Sequence, residues 1–181
     1  MPLHSLRSLA RHLDVPERTL RRVAAEGLIH GRRISTRRFE TSLREETYLR
    51  RHWSLLSELR DALRTEPNVR LAVLFGSQAV GRGTDRSDVD LLVALREPSA
   101  ERLAQISGRL ERRLGRAVQL VRLQDAERTP SLMADALREG RVLVDRGDRW
   151  AVLKAREAAW RRRAAATELP LEQAMPDLDL P

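Results

Sequence analysis

Asp88 and Asp90 stand two residues apart in Ser87-Asp88-Val89-Asp90-Leu91-Leu92-Val93, downstream of the apolar stretch Leu71–Phe75 and the pair Gly76-Ser77. A Gly/Arg-containing loop lies between the two segments. Residues two apart on a strand point to the same face, so the carboxylates project together, about 6–7 Å apart at the backbone. Val89, Leu91 and Val93 then turn to the opposite face. Paired carboxylates on a buried strand repel each other and cost desolvation unless a cation compensates them. Oxygen-only ligands suit Mg²⁺, which one or two carboxylates and a substrate's phosphates commonly hold, and Mn²⁺ accepts the same set. Gly76-Ser77 at the end of the preceding strand can offer backbone N–H groups and a hydroxyl to a phosphate. A divalent ion beside phosphates means phosphoryl or nucleotidyl transfer.

The joint pattern, Phe75-Gly76-Ser77-Gln78-Ala79, then Gly81, then Ser87-Asp88-Val89-Asp90-Leu91, resembles the minimal nucleotidyltransferases of the DNA polymerase beta superfamily. The resemblance covers about residues 67 to 145. It implies an α/β (α+β) fold, a mixed sheet with flanking helices. It also implies a nucleoside triphosphate substrate, ATP, whose Mg²⁺ (or Mn²⁺) is held by Asp88 and Asp90. Gly76 and Ser77 would hold the β- and γ-phosphates, with Arg82 of the Gly81-Arg82-Gly83 loop neutralising them. The acceptor would attack the α-phosphorus and release pyrophosphate. Antitoxins of HEPN-type toxin pairs in this superfamily modify a protein, which makes a toxin partner the expected acceptor.

One residue departs from the family pattern. A third carboxylate belongs on the next strand, and in Arg116–Leu123 that place holds Gln119. An amide oxygen can ligate a metal, but it cannot take a proton from a nucleophile near neutral pH. Asp125, just past the strand, could substitute only if the chain bends back. Three functions follow from these residues: transfer to a protein, a DNA-binding regulator that keeps the fold as nucleotide sensor or partner platform, and modification of a small molecule. Gln119 favours the second over the first. A basic N-terminal segment speaks against the third.

Composition sets the frame. The chain has 181 residues, a net charge of +8 and no cysteine, which excludes disulfides and thiolate metal sites. No apolar run approaches the roughly 20 residues that span a bilayer, so a cytoplasmic protein is expected. Lys154 is the single lysine, so arginine carries the positive charge. Arginine's planar fork suits phosphate. The four histidines are scattered without ligand spacing and are assigned no metal role.

The elements that must position these residues begin with a short helix pair. Leu6, Leu9, Ala10 and Leu13 recur at helical spacing over Ser5–Leu13, and Asp14-Val15-Pro16 breaks the pattern. Pro16–Glu26 forms a second helix with Leu20, Val23 and Ala24 inward and Gly27 as its cap. Arg18, Arg21 and Arg22 face outward. Leu28–Ile34 reads as a basic hairpin carrying Arg32 and Arg33, like the wing of a winged helix. The segment resembles a helix-turn-helix, with these five arginines set against duplex DNA. A connecting helix capped by Thr41 or Ser42 carries Leu49, Trp53, Leu56, Leu59 and Leu63. Trp53 is placed in the core or at a homodimer contact.

Past the acidic strand, a helix runs from Pro98 to Leu114 before Gly115, and another opens at Pro130 or Ser131 and ends at Gly140. Val142–Val144 forms a short strand, and 149 to 166 a terminal helix bearing Arg161-Arg162-Arg163. The expected organisation is a helix-turn-helix domain at 1–40, a linker helix at 41–66 and a nucleotidyltransferase domain at 67–147. A C-terminal helix at 148–166 and an acidic tail at 167–181 complete it.

Overall fold

The computed structural model describes residues 3–35 and 38–167; the expected tail beyond Thr167 lies outside the described residues. Strand β1 (Leu3–Ser5) leads into α1 (Leu6–Leu13) and α2 (Glu17–Ala25). The Ser5 hydroxyl caps α1 by accepting from the Ser8 amide, and Pro16 precedes α2 as its N-cap rather than lying within its first turn. Leu9 and Leu20 are fully buried, so the two helices pack through the apolar stripes their spacing predicts. Gly27 closes α2 as expected, with the Leu28 amide bonded back to Val23 O at 2.9 Å.

The hairpin then forms, though its strands lie further along than expected. β2 is Arg32–Arg33 and β3 is Phe39–Ser42, paired antiparallel with Arg32 opposite Glu40. β3 also pairs with β1, giving a three-stranded sheet in the order β1-β3-β2. Helix α3 (Leu43–Arg64) follows at once, capped by the Ser42 hydroxyl on the Glu45 amide at 3.1 Å.

The remaining chain builds a four-stranded mixed sheet. β4 (Val69–Phe75) runs into a single helical turn, α4 (Gly76–Ala79), and a loop leads to β5 (Val89–Leu95). α5 (Ala100–Leu114) crosses over to β6 (Val118–Arg122), and α6 (Leu123–Ala126) and α7 (Pro130–Glu139) lead to β7 (Arg141–Asp145). The strand order is β6-β5-β4-β7. β4 is antiparallel to both neighbours, while β5 and β6 are parallel, as the α5 crossover requires. The expected C-terminal helix divides into α8 (Arg149–Lys154) and α9 (Glu157–Thr167).

β4 is buried on both faces, and alternate residues of the sheet go to different sides. Val69, Ala72, Leu74, Val89, Leu91 and Val93 join a core that continues through α3, α5, α1 and α2. Leu71, Val73, Leu92 and Val142 face a second core under α7, α8 and α9. Trp53 of α3 packs against the first core. Among the described residues no helix is long and apolar enough to cross a membrane.

Candidate active site

The end of β4 and the start of β5 lie side by side, with Phe75 opposite Asp90. This register brings Gly76 against the acidic strand. Gly76 has φ +69°, and a Cβ built there would sit 2.5 Å from Asp90 Oδ2. Only glycine allows both the left-handed backbone and that approach. Asp88 sits just before β5, exposed, and Asp90 lies partly buried within it. Burial, and then the neighbouring Asp88 charge, raise the Asp90 carboxyl above its ordinary value. Among the described residues no arginine, lysine or histidine forms an ion pair with either carboxylate, so two acids stand together without a cation between them.

Gly76, Ser77 and Arg82 line one open cavity of about 460 Å³, with Ser131, Leu132 and Asp135 of α7 on its other wall. The sequence-predicted phosphate residues are thus gathered in one place, with Asp90 against the back of Gly76. Gln119 stands directly opposite Asp90 in the parallel β5–β6 register. Such pairs face the same side of a sheet, so Gln119 shares the face of Asp90, exposed on an edge strand. Asp125 does not return to the pair. It follows Arg122, which lies opposite Val93, and its carboxylate accepts from Arg122 Nε at 2.5 Å. Among the described residues no three His, Cys, Asp or Glu side chains gather into a metal site. Two carboxylates and the oxygen of Gln119 still fit a divalent ion that shares its shell with phosphates and water.

Several buried polar residues packed around these elements have contacts that no spacing in the sequence reveals. Gln78 is buried, and its side-chain amide donates to Thr84 O at 2.8 Å, fixing the loop that leads to the carboxylates. Arg141, at the head of β7, and Glu45, near the start of α3, form a buried bidentate ion pair at 2.6 and 2.9 Å. Tyr48 lies under the Arg141 guanidinium at 3.5 Å and stacks on His52. Burial pushes the Tyr48 hydroxyl up to about 12. A larger cleft of about 830 Å³ opens beside these groups, between the hairpin, α3 and α7. Size would select this cleft, but phosphate chemistry selects the smaller cavity, because Gly76, Ser77 and Arg82 line only that one.

The predicted DNA contacts are all exposed: Arg18, Arg21 and Arg22 on α2, and Arg32 and Arg33 on β2. Arg21 is paired with Glu17 at 2.6 Å and Arg22 lies 4.0 Å from Glu26. A phosphate would have to compete with these acids.

Residues 57–149 match the family model described as polymerase beta, nucleotidyltransferase. The chain belongs to this family of nucleotidyltransferase-fold proteins. Among solved structures, it is similar to a toxin–antitoxin complex with AMP-PNP (TM-score 0.52, 21% identity, covering 66% of this chain and 93% of that one). It is also similar to a mutant of the toxin–antitoxin MntA-HpeT (TM-score 0.52, 20% identity, again covering 66% and 93%). A second mutant of that pair has a TM-score of 0.50 and 22% identity, covering 65% of this chain and 91% of that one. At such identities the likeness is one of fold. Comparison with curated proteins finds no match.

Proposed function

We propose that the chain binds ATP through a divalent cation and transfers its nucleotidyl group to a protein, a toxin partner, while its N-terminal segment binds duplex DNA. The observation that carries the nucleotide reading is the contact of the Gly76 turn with the Asp90 carboxylate. It joins a phosphate cradle to a pair of under-compensated acids. Asp88 and Asp90 would hold the Mg²⁺ or Mn²⁺, with Gly76, Ser77 and Arg82 on the β- and γ-phosphates. When bound, the ion neutralises the triphosphate and the charge that develops in transfer. The turn and Arg82 orient the phosphates so that the leaving pyrophosphate lies in line with the incoming group. An acceptor hydroxyl oxygen bonds to the α-phosphorus, the bond from that phosphorus to the bridging oxygen breaks, and pyrophosphate departs. Gln119 cannot take the hydroxyl proton, which leaves to solvent.

The complexes whose fold this chain shares are toxin–antitoxin pairs, one of them with AMP-PNP. They support a protein acceptor and an adenine nucleotide here. The DNA reading rests on α1, α2 and the β1-β3-β2 sheet, a helix pair with an adjoining hairpin, and on the five exposed arginines. The test is transfer from α-labelled ATP with Mg²⁺ to a co-purified partner. Label on the partner, lost in Asp88→Asn with Asp90→Asn, is the expected result. Equal Mg²⁺-dependent ATP affinity in wild type and double variant would sink the site assignment.

A second reading has its own observation. Gln119 opposite Asp90 supports a regulator that binds nucleotide without efficient transfer and uses the fold as a sensor or partner platform. ATP binding with no transfer to any partner would select it.

A further inference from the structure

The turn that begins at Gly76 is only four residues long. A helix that short cannot satisfy its own C-terminal carbonyls, and here Gln78 and Ala79 are buried, away from water. Gln78 O takes a long bond from the Gly81 amide at 3.4 Å, and two side chains from distant parts of the chain complete the acceptors. The Tyr48 hydroxyl donates to Gln78 O at 3.1 Å, and Arg141 Nε donates to Ala79 O at 2.7 Å. The rest of the Arg141 fork is engaged as well. Its two terminal nitrogens bond Glu45, and one also reaches Leu28 O at 3.2 Å. Glu45 in turn accepts from the His30 amide at 2.9 Å. A cation at the carbonyl end of a helical turn also favours the turn itself. Neither Tyr48 nor Arg141 lines the candidate phosphate cavity. They line the larger cleft instead, beside Ala79.

We propose that Tyr48 and Arg141 are positioning residues for the nucleotide, fixing the Gly76–Ala79 turn beneath the phosphates, with Glu45 locking Arg141 in place. The inference rests on the nucleotide reading above. It makes ATP affinity depend on α3 and β7, and it joins Leu28 and His30 of the N-terminal segment to the same brace.

Two conservative variants test it. Tyr48→Phe removes one hydroxyl and leaves the ring under the guanidinium. Arg141→Lys keeps the charge but loses the fork that reaches Ala79, Leu28 and Glu45 at once. The full-length protein is assayed for Mg–ATP affinity by calorimetry, for KM and kcat with α-labelled ATP, and for Tm. A core variant on α5, Ile106→Val, lowers stability by a comparable amount without touching the turn. Tyr48→Phe should weaken Mg–ATP binding about five-fold, the effect of one buried hydrogen bond. It should raise KM more than it lowers kcat, and Arg141→Lys should do more, while Ile106→Val lowers Tm alone. Should Arg141→Lys fail to fold, Tyr48→Phe decides. Wild-type affinity in Tyr48→Phe, or an equal loss in Ile106→Val, overturns the positioning role. A wild type that binds no Mg–ATP overturns the nucleotide reading, and this inference falls with it.

Discussion

Replacing Gly76 with alanine sets two costs against each other that can be measured separately. The first is backbone strain. At φ +69° an L-residue in the left-handed region costs about 1–2 kcal/mol, which for a chain of this size lowers Tm by roughly 2–8 °C. The second is steric. The new Cβ would lie 2.5 Å from Asp90 Oδ2, whereas ordinary contact begins at 3.4 Å. Turn and carboxylate must therefore separate by roughly 1 Å, and a misplacement of that size can cost about 10²-fold in rate. Gly115, the C-cap of α5, supplies the control. Its φ is +65° and a Cβ there meets nothing within 4 Å. Gly115→Ala should show the same fall in Tm with unchanged Mg–ATP affinity and transfer, while Gly76→Ala should lose nucleotide function far beyond its loss of stability. Calorimetry with Mg–ATP and thermal melts on both variants decide the matter. Wild-type nucleotide affinity in Gly76→Ala, or a matching loss in Gly115→Ala, would refute the cradle.

Three further outcomes are expected. Gln119→Asp places a carboxylate opposite Asp90 and should raise transfer from α-labelled ATP by about 10²–10⁴-fold if a general base is all that is missing; robust transfer by the wild type would show that Gln119 is no handicap. Burial and the Asp88 charge raise the folded carboxyl of Asp90, so its ionised form weakens the fold, and the cost grows as pH rises from about 3.8 through the folded value. Asp90→Asn should therefore raise Tm at pH 7 while abolishing stabilisation by Mg–ATP, and melts from pH 3 to 7 should show the two proteins converging in acid. Alanine at Arg18, Arg21 and Arg22 should flatten the salt dependence of duplex binding by about one log–log unit per lost phosphate contact; unchanged binding to a genomic fragment library would remove α2 from the interface.

Local chemistry announced much of this fold. The alternation in β5, the apolar run of β4 and the glycines after α2, α5 and α7 each act within a few residues, so a single stretch reveals them. The pairing of Gln119 with Asp90 was legible through the family pattern, which supplies the strand order. Strands β1 and β3 escaped because Leu3–Ser5 and Phe39–Ser42 are short and largely polar; they exist through pairing with each other. The break between α8 and α9 carries no glycine or proline, only Ala155 and Arg156, both good helix formers. Tyr48 and Arg141 were out of reach for another reason. Arg141 lies 96 residues from Glu45 and 62 from Ala79, and no spacing rule connects such positions.

The β7 edge of the four-stranded sheet is not left open. The Val142 amide of β7 donates to Gly27 O at 3.1 Å, and His30 Nε2 lies 3.1 Å from Gly140 O. Trp150 closes over the same place, beside Gly27. An uncovered strand edge recruits strands from other molecules, and here residues of the first thirty hold that edge in a non-strand embrace. The segment proposed to bind DNA thus also covers the β7 edge of the sheet. Excising residues 1–42 and so uncovering this edge should yield a protein that scatters light on concentration, whereas the intact chain stays dispersed.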